Sequence, residues 1–235
     1  MYKVMIKLRG IEQELEGTVE KEGAVEIQGI EYDIDTLPFD IPISGTLYGT
    51  LLNFKGAYEA FKPQMSETPY KNEPKAPVLY IKPKNTFISN GKPIPLPEDE
   101  KELEIGAALG IVIGKTAKKV TEENALNYVL GYTVVNDVSI PHNNFHRPAV
   151  KEKARDGFCP IGPWITLKEF VQNPNDLAIK VLINGEVVQE NSTKNLIRSV
   201  EKLLADVTEF MTLYKGDVLL VGVPENAPLA KENDH

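Results

Sequence analysis

The chain has 235 residues, with 26 Lys plus Arg against 34 Asp plus Glu, a net charge of −8, 17 Gly, 17 Pro and a single cysteine. That length allows one large domain, or one domain with a small appendage, and the ordinary apolar content and lone thiol exclude a disordered chain and a disulfide scaffold. Net acidity argues against nucleic acid or an anionic membrane as partner, and neither an apolar run of roughly 18 residues nor a signal-peptide core is visible, so a cytoplasmic protein is expected.

Residues 1–9 alternate, with Tyr2, Val4, Ile6 and Leu8 on one face, which is the period of a half-buried strand. Further strands are predicted at Leu15–Val19 and Ala24–Ile27, giving a small β-meander over residues 1–44 that ends in the proline-bearing stretch Leu37–Ser44. A second unit, 45–235, is expected to open with a strand at Thr46–Asn53 and a short helix at Ala57–Phe61. Lys62–Pro77 then reads as a long loop. Strands follow at Val78–Ile81 and Ala107–Ile113, and a helix capped by Thr121 runs toward Gly131. Tyr132–Val138 is strand-like, and Asn184-Gly185 signals a hairpin between Leu177–Ile183 and Glu186–Val188. The apolar stripe from Leu196 to Phe210 predicts a long helix from about Lys194, before a last strand at Val218–Val221. Strands dominate, so the fold class is mainly β with one or two packed helices.

Chemistry concentrates between Asn136 and Gly162. Arg147, Lys151, Lys153 and Arg155 pack four cations into nine residues of an acidic chain. Such a patch suits a small carboxylate-rich ligand, since Arg grips a carboxylate bidentately and Lys adds a point charge. The same residues also fit a solvated loop whose charges neutralise Glu152 and Asp156. His142 and His146 have the spacing of helical metal ligands, but Pro141 and Pro148 bracket them and no third ligand is adjacent. Cys159, between Phe158 and Pro160, reads as a small buried apolar residue. No phosphate loop, nucleophile elbow or dinucleotide fingerprint is present.

Three stretches, GAALGIVIGK (Gly106–Lys115), GYTVVNDVS (Gly131–Ser139) and KARDGFCPIGPWI (Lys153–Ile165), resemble the core motifs of the fumarylacetoacetate hydrolase family, in order and at its spacing. The details of SGTLYGTLLNF, PYKNEPKAPVLYIKPKNT and FHRPAVKEKARDGFCPIG look most like its isomerase/decarboxylase branch in 4-hydroxyphenylacetate catabolism. The resemblance implies a mixed β-sandwich roll preceded by the meander. It also implies a subunit of a decarboxylase/isomerase acting on 2-oxo or 2-hydroxy-dienoate di- or tricarboxylic acids. Implied assemblies are a homodimer or a hetero-oligomer with a paralogous metal-bearing subunit. The alternatives are a non-catalytic partner of such a subunit, or a metal-independent dicarboxylate binder.

The family holds a divalent cation, Mg²⁺ or Mn²⁺, with two Glu and one Asp. The Asp carries over to Asp137, but the two Glu positions fall on Gly106 and Ala108, and a family His falls on Ala57. Glu102 and Glu104 lie four places upstream of those positions, over 10 Å along a strand at roughly 3.3 Å per residue. No cofactor is therefore expected in the isolated chain. The resemblance assigns Lys153 the electrostatic role, Asp156 its orientation, Arg147 a distal carboxylate, and Lys82, Lys84 and Asn136 further substrate contacts. Lys153 is expected to be a loop residue that contributes little to folding. The last ten or so residues are expected to be poorly ordered, or the sequence to be a piece of a longer protein.

Overall fold

A computed structural model describes residues 1–142 and 147–235. β1 (Tyr2–Ile6), β2 (Leu15–Val19), β3 (Ala24–Ile27) and β4 (Ile30–Asp33) form an antiparallel meander. Its predicted inner face is real, since Val4, Ile6 and Leu8 bury with Val19, Val25 and Phe39. β4 was not anticipated because all four of its residues are exposed, so burial leaves no pattern to read.

β5 (Leu47–Leu51) leads to α1 (Lys55–Met65), then β6 (Val78–Lys82), β7 (Phe87–Ser89), β8 (Glu102–Glu104) and β9 (Ala107–Ile113). β10 (Val129–Asn136), the short α2 (Val150–Lys153), β11 (Cys159–Ile161) and β12 (Ile165–Leu167) follow. The chain ends with the hairpin of β13 (Ala178–Ile183) and β14 (Glu186–Ser192), α3 (Val200–Phe210), β15 (Val218–Leu220) and β16 (Leu229–Lys231). One mixed sheet of 12 strands runs β4-β3-β2-β1-β12-β10-β9-β15-β5-β6, with β11 beside β10 and β7 beside β11. The β1–β12 pairing, Val4 opposite Thr166, makes the meander continuous with that sheet. Leu203, Leu204 and Val207 of α3 close the main core over Ile111, Ile113 and Leu219. No described helix is long and apolar enough to cross a membrane.

Four expectations are corrected. α1 runs four residues past Phe61 into the predicted loop, because Phe61 and Met65, one turn apart, both bury. The segment after Thr121 is a 3₁₀ turn, Glu122–Tyr128, closed by a capping box with Asn124. α3 starts at Val200 and not near Lys194. The C-terminal stretch is paired, with β16 antiparallel to β8 through Leu229 opposite Glu104 and Lys231 opposite Glu102.

Candidate active site: a buried lysine–aspartate–lysine cluster

Strands β9 and β10 set the position of Asp137. Their register places Asn136 opposite Ala107 and Val135 opposite Ala108. One step further, the Asp137 N–H donates to the Gly106 carbonyl at 2.8 Å. A Cβ at Gly106 would run into the Asp137 carbonyl oxygen, so only glycine fits this close approach. Side chains alternate along strands, so Gly106, Ala108 and Asp137 share one face.

Onto that face β6 projects Tyr80 and Lys82, two residues apart and therefore on the same side. The Tyr80 hydroxyl donates a hydrogen bond to Asp137 Oδ2. Lys153, at the end of α2, donates to the same oxygen at 3.0 Å. Lys82 Nζ stands 3.0 Å from Oδ1 as an ion pair and donates to the carbonyls of Val138 at 2.9 Å and Lys153 at 2.8 Å. The Lys153 ammonium also lies 5.1 Å from the centre of the Tyr80 ring. Gly49 of β5 pairs directly with Tyr80, and a Cβ there would collide with the ring. Glycine at 49 is what lets the phenol lie across β5.

The cluster carries two ammonium groups and one carboxylate, a net charge of +1. Burial alone would raise the Asp137 carboxyl, but Lys153 and Lys82 outweigh it and hold the group below its ordinary value. Burial pulls the Lys82 ammonium down, and burial together with the Asp137 charge pushes the Tyr80 phenol well up, so Tyr80 acts as a neutral donor. Cys159 is fully buried and its thiol is pushed up to about 12, chiefly by burial, which bears out its reading as a packed apolar residue.

Two cavities meet at Lys153, whose side chain is 14% exposed. The larger, about 560 Å³, follows β6 and is lined by Tyr80, Ile81, His142, Arg147, Val150 and Lys153. The smaller, about 330 Å³, is lined by Thr50, Ala57, Tyr80, Glu104, Asp137 and Lys153, among others. Cations on the wall of a largely apolar cavity suit a small anion, because a low-dielectric surround strengthens each charge contact.

The structure brings Lys153, Asp137 and Arg147 to these cavities and redirects the other predicted residues. Lys82 is 1% exposed with its donors committed inside the protein, so it holds the cluster together and does not meet substrate. Asn136 points to the opposite face and accepts the Gly106 N–H at 3.2 Å. Lys84 is exposed and lines a separate cavity with Lys7 and Asp40. Asp156 is exposed and accepts from Asn85 Nδ2 at 2.7 Å, while Lys153 is oriented by Asp137. Lys153 itself is no surface loop charge: it is tied to a buried carboxylate, so its removal costs folding stability. His146 lies outside the described residues.

Tyr80 was missed, and Glu104 was set aside on its spacing along the strand. The alternation that put Lys82 inward also points Tyr80 inward, a signal that was present in YIK. Glu104 reaches the cavity without any slip in register, because antiparallel pairing continues past Gly106 to Glu104 opposite Ser139.

The resemblance calls for a divalent cation at Asp137, and the residues present do not fit one. Both carboxylate oxygens face ammonium groups, and Gly106 and Ala108 offer no oxygen ligand. Among the described residues, no group of three or more His, Cys, Asp or Glu is placed to hold a metal.

The model of the fumarylacetoacetate (FAA) hydrolase C-terminal domain matches residues 46–235. A 4-hydroxyphenylacetate degradation bifunctional isomerase/decarboxylase of Escherichia coli is 43% identical over 183 residues, covering 78% of this chain and 42% of that protein. The chain thus spans less than half the length of this relative. The crystal structure of 5-carboxymethyl-2-hydroxymuconate delta-isomerase from Mycobacterium smegmatis superposes with a TM-score of 0.78 at 27% identity, over 100% of this chain and 92% of that one. Maleylpyruvate hydrolase from Sphingobium sp. SYK-6, solved with manganese(II) and pyruvate, shares the fold at 20% identity and a TM-score of 0.77, over 98% of this chain and 92% of that one. Motif order, strand register and these matches agree, and the chain belongs to the fumarylacetoacetate hydrolase family.

Proposed function

We propose that this chain is a subunit of a decarboxylase/isomerase acting on 2-oxo or 2-hydroxy-dienoate di- or tricarboxylic acids in 4-hydroxyphenylacetate breakdown. The observation that carries the reading is the Lys153 ammonium, pinned by buried Asp137 and open to a cavity that Arg147 also lines. A 2-oxo acid would place its carbonyl and carboxylate oxygens on Lys153 and its distal carboxylate on Arg147. Loss of CO₂ or of a proton leaves an enolate, whose charge develops beside a cation already in place and held without solvent reorganisation. No step needs a metal. Lys82 and Asp137 would act by fixing Lys153 and not by touching substrate. The division at residue 44 and a cytoplasmic location belong to the same proposal.

The test is turnover of 5-oxopent-3-ene-1,2,5-tricarboxylate and 2-hydroxyhepta-2,4-diene-1,7-dioate by the purified chain, with and without EDTA. EDTA-insensitive turnover that is lost in Lys153→Met supports the reading; turnover abolished by EDTA defeats it. A second reading, a non-catalytic partner of a metal-bearing paralogue, is favoured by Gly106, Ala108 and Ala57, none of which carries a functional side chain. An inactive chain that does not bind oxalate would support it. An inactive chain that binds oxalate would be a dicarboxylate binder. Sedimentation of the chain alone and with the paralogue distinguishes a homodimer from a hetero-oligomer.

A further inference from the structure

If a proton moves in this site, a second group must take it, and the cavity wall holds few candidates. Asp137 is spent on two ammonium groups and a phenol. Glu225 also lines the smaller cavity, but Asn191 donates to its Oε1 at 3.2 Å, and its Oε2 is buried without a hydrogen-bond partner among the described residues, with the carboxylate against Gly56 in the first turn of α1. Glu104 is left. Its side chain forms none of the described ion pairs and accepts one long hydrogen bond, 3.4 Å from Ser139 Oγ.

The backbone of Glu104 is fixed on both sides. Its N–H donates to the Ser139 carbonyl at 2.8 Å, the return bond is 3.2 Å, and β16 pairs along the other edge. Glu104 therefore stands two residues from Gly106, roughly 7 Å along the strand, on the face that carries Asp137. A group on a paired strand holds its position better than one on a loop, which favours Glu104 over His142 in the same cavity. One independent feature marks this cavity as a ligand site. Thr50 lines this cavity and is 2% exposed, and its Oγ1 is buried with no hydrogen-bond partner among the described residues. An orphaned hydroxyl of this kind is costly unless something satisfies it, and a bound carboxylate or enolate oxygen would.

We propose that Glu104 is the proton-transfer residue of this site, facing Lys153 across the smaller cavity; this rests on the 2-oxo acid reading above. The Glu104 carboxylate removes a proton from C3 of the bound acid. The C–H electron pair becomes the C2–C3 double bond, and the carbonyl π pair moves onto the C2 oxygen beside the Lys153 ammonium. Return of the proton to C3, or to a carbon conjugated with it, completes an exchange or an isomerisation.

The experiment follows hydrogen–deuterium exchange at C3 of 2-oxoglutarate in D₂O by proton NMR, with the purified full chain, alongside calorimetric binding of oxalate. The native chain should bind oxalate and accelerate exchange. Glu104→Gln should slow exchange by about 100-fold or more, the usual range for a lost general base, while oxalate affinity stays within about threefold and the melting temperature is unchanged. Lys153→Met should lose both. Exchange at the native rate in Glu104→Gln overturns the inference, as does exchange lost in His142→Gln but kept in Glu104→Gln. Loss of oxalate affinity in Glu104→Gln would mark a binding or structural role and overturn it too. A native chain that binds oxalate without exchange defeats the Glu104 role alone, whereas one that does neither defeats the underlying reading as well.

Discussion

Neutralising Asp137 should be among the most costly single changes in the protein. Asp137→Asn leaves buried Lys82 and half-buried Lys153 without a counter-charge, and breaking a buried pair in this way costs about 3–5 kcal/mol. Urea unfolding checks it; a loss under about 1 kcal/mol would mean that water or an anion already compensates the lysines. The same residue shapes the acid limb. Its folded-state value lies below the ordinary 3.8, so its contribution is complete above that pH and drains away as pH falls through the lower value. Asp137→Asn should remove that part of the pH dependence. Gly49→Ala tests the aromatic wall, because the new methyl meets the Tyr80 ring. Displacing a packed ring costs about 1–3 kcal/mol, seen as a lowered urea midpoint with unchanged slope. An unaffected midpoint would show that the ring has room to move.

At the level of secondary structure, the misplaced start of α3 shows what periodicity cannot see. Leu196 and Ile197 continue the apolar stripe, yet buried Asn53 holds that stretch extended. Its carbonyl accepts the Ile197 N–H at 2.8 Å, and its Oδ1 accepts the Arg198 N–H at 3.0 Å. The second contact spans 145 residues and the first one fewer, so no local window contains them. The helix then starts at Val200, capped by Ser199, whose Oγ accepts the Lys202 N–H at 3.1 Å. Ser199→Ala should cost about 1 kcal/mol by thermal or urea unfolding, and no loss would mean that the cap is redundant. β1, with one buried face, was readable from alternation, β9 as a strand-like stretch closed by Gly114, and Lys153 through its motif. What stayed hidden was direction and distance. Asn136, Lys84 and Asp156 lie within a few residues of the cluster in sequence, but strand alternation and the turn after Lys82 aim them elsewhere. Glu104 was set aside on spacing along one strand, although its pairing across to Ser139 is what carries it into the cavity.

For the complete chain the decisive question is whether a divalent cation adds to its stability. At an effective dielectric of about 20, two unit charges about 4 Å apart interact by roughly 4 kcal/mol, so a dication interacts with each neighbouring unit charge by roughly 8. Asp137 would attract it by that amount, while Lys82 and Lys153, each 3.0 Å from a carboxylate oxygen, would together repel it by about twice as much. Dehydration of Mg²⁺ adds to the deficit. The melting temperature of the full chain should therefore not move with millimolar MgCl₂ or MnCl₂, nor fall with EDTA. A ligand of the folded state at 100 times its dissociation constant would add about 2.7 kcal/mol, an increment that calorimetry resolves easily. Restoring the family ligands by Gly106→Glu with Ala108→Glu should not create Mn²⁺ binding either: the first change drives a Cβ into the Asp137 carbonyl, and both lysines remain. Saturable stabilisation of the native chain by Mn²⁺ would show that the lysines yield Asp137 to a metal, and with it the metal-free reading of the site would fall.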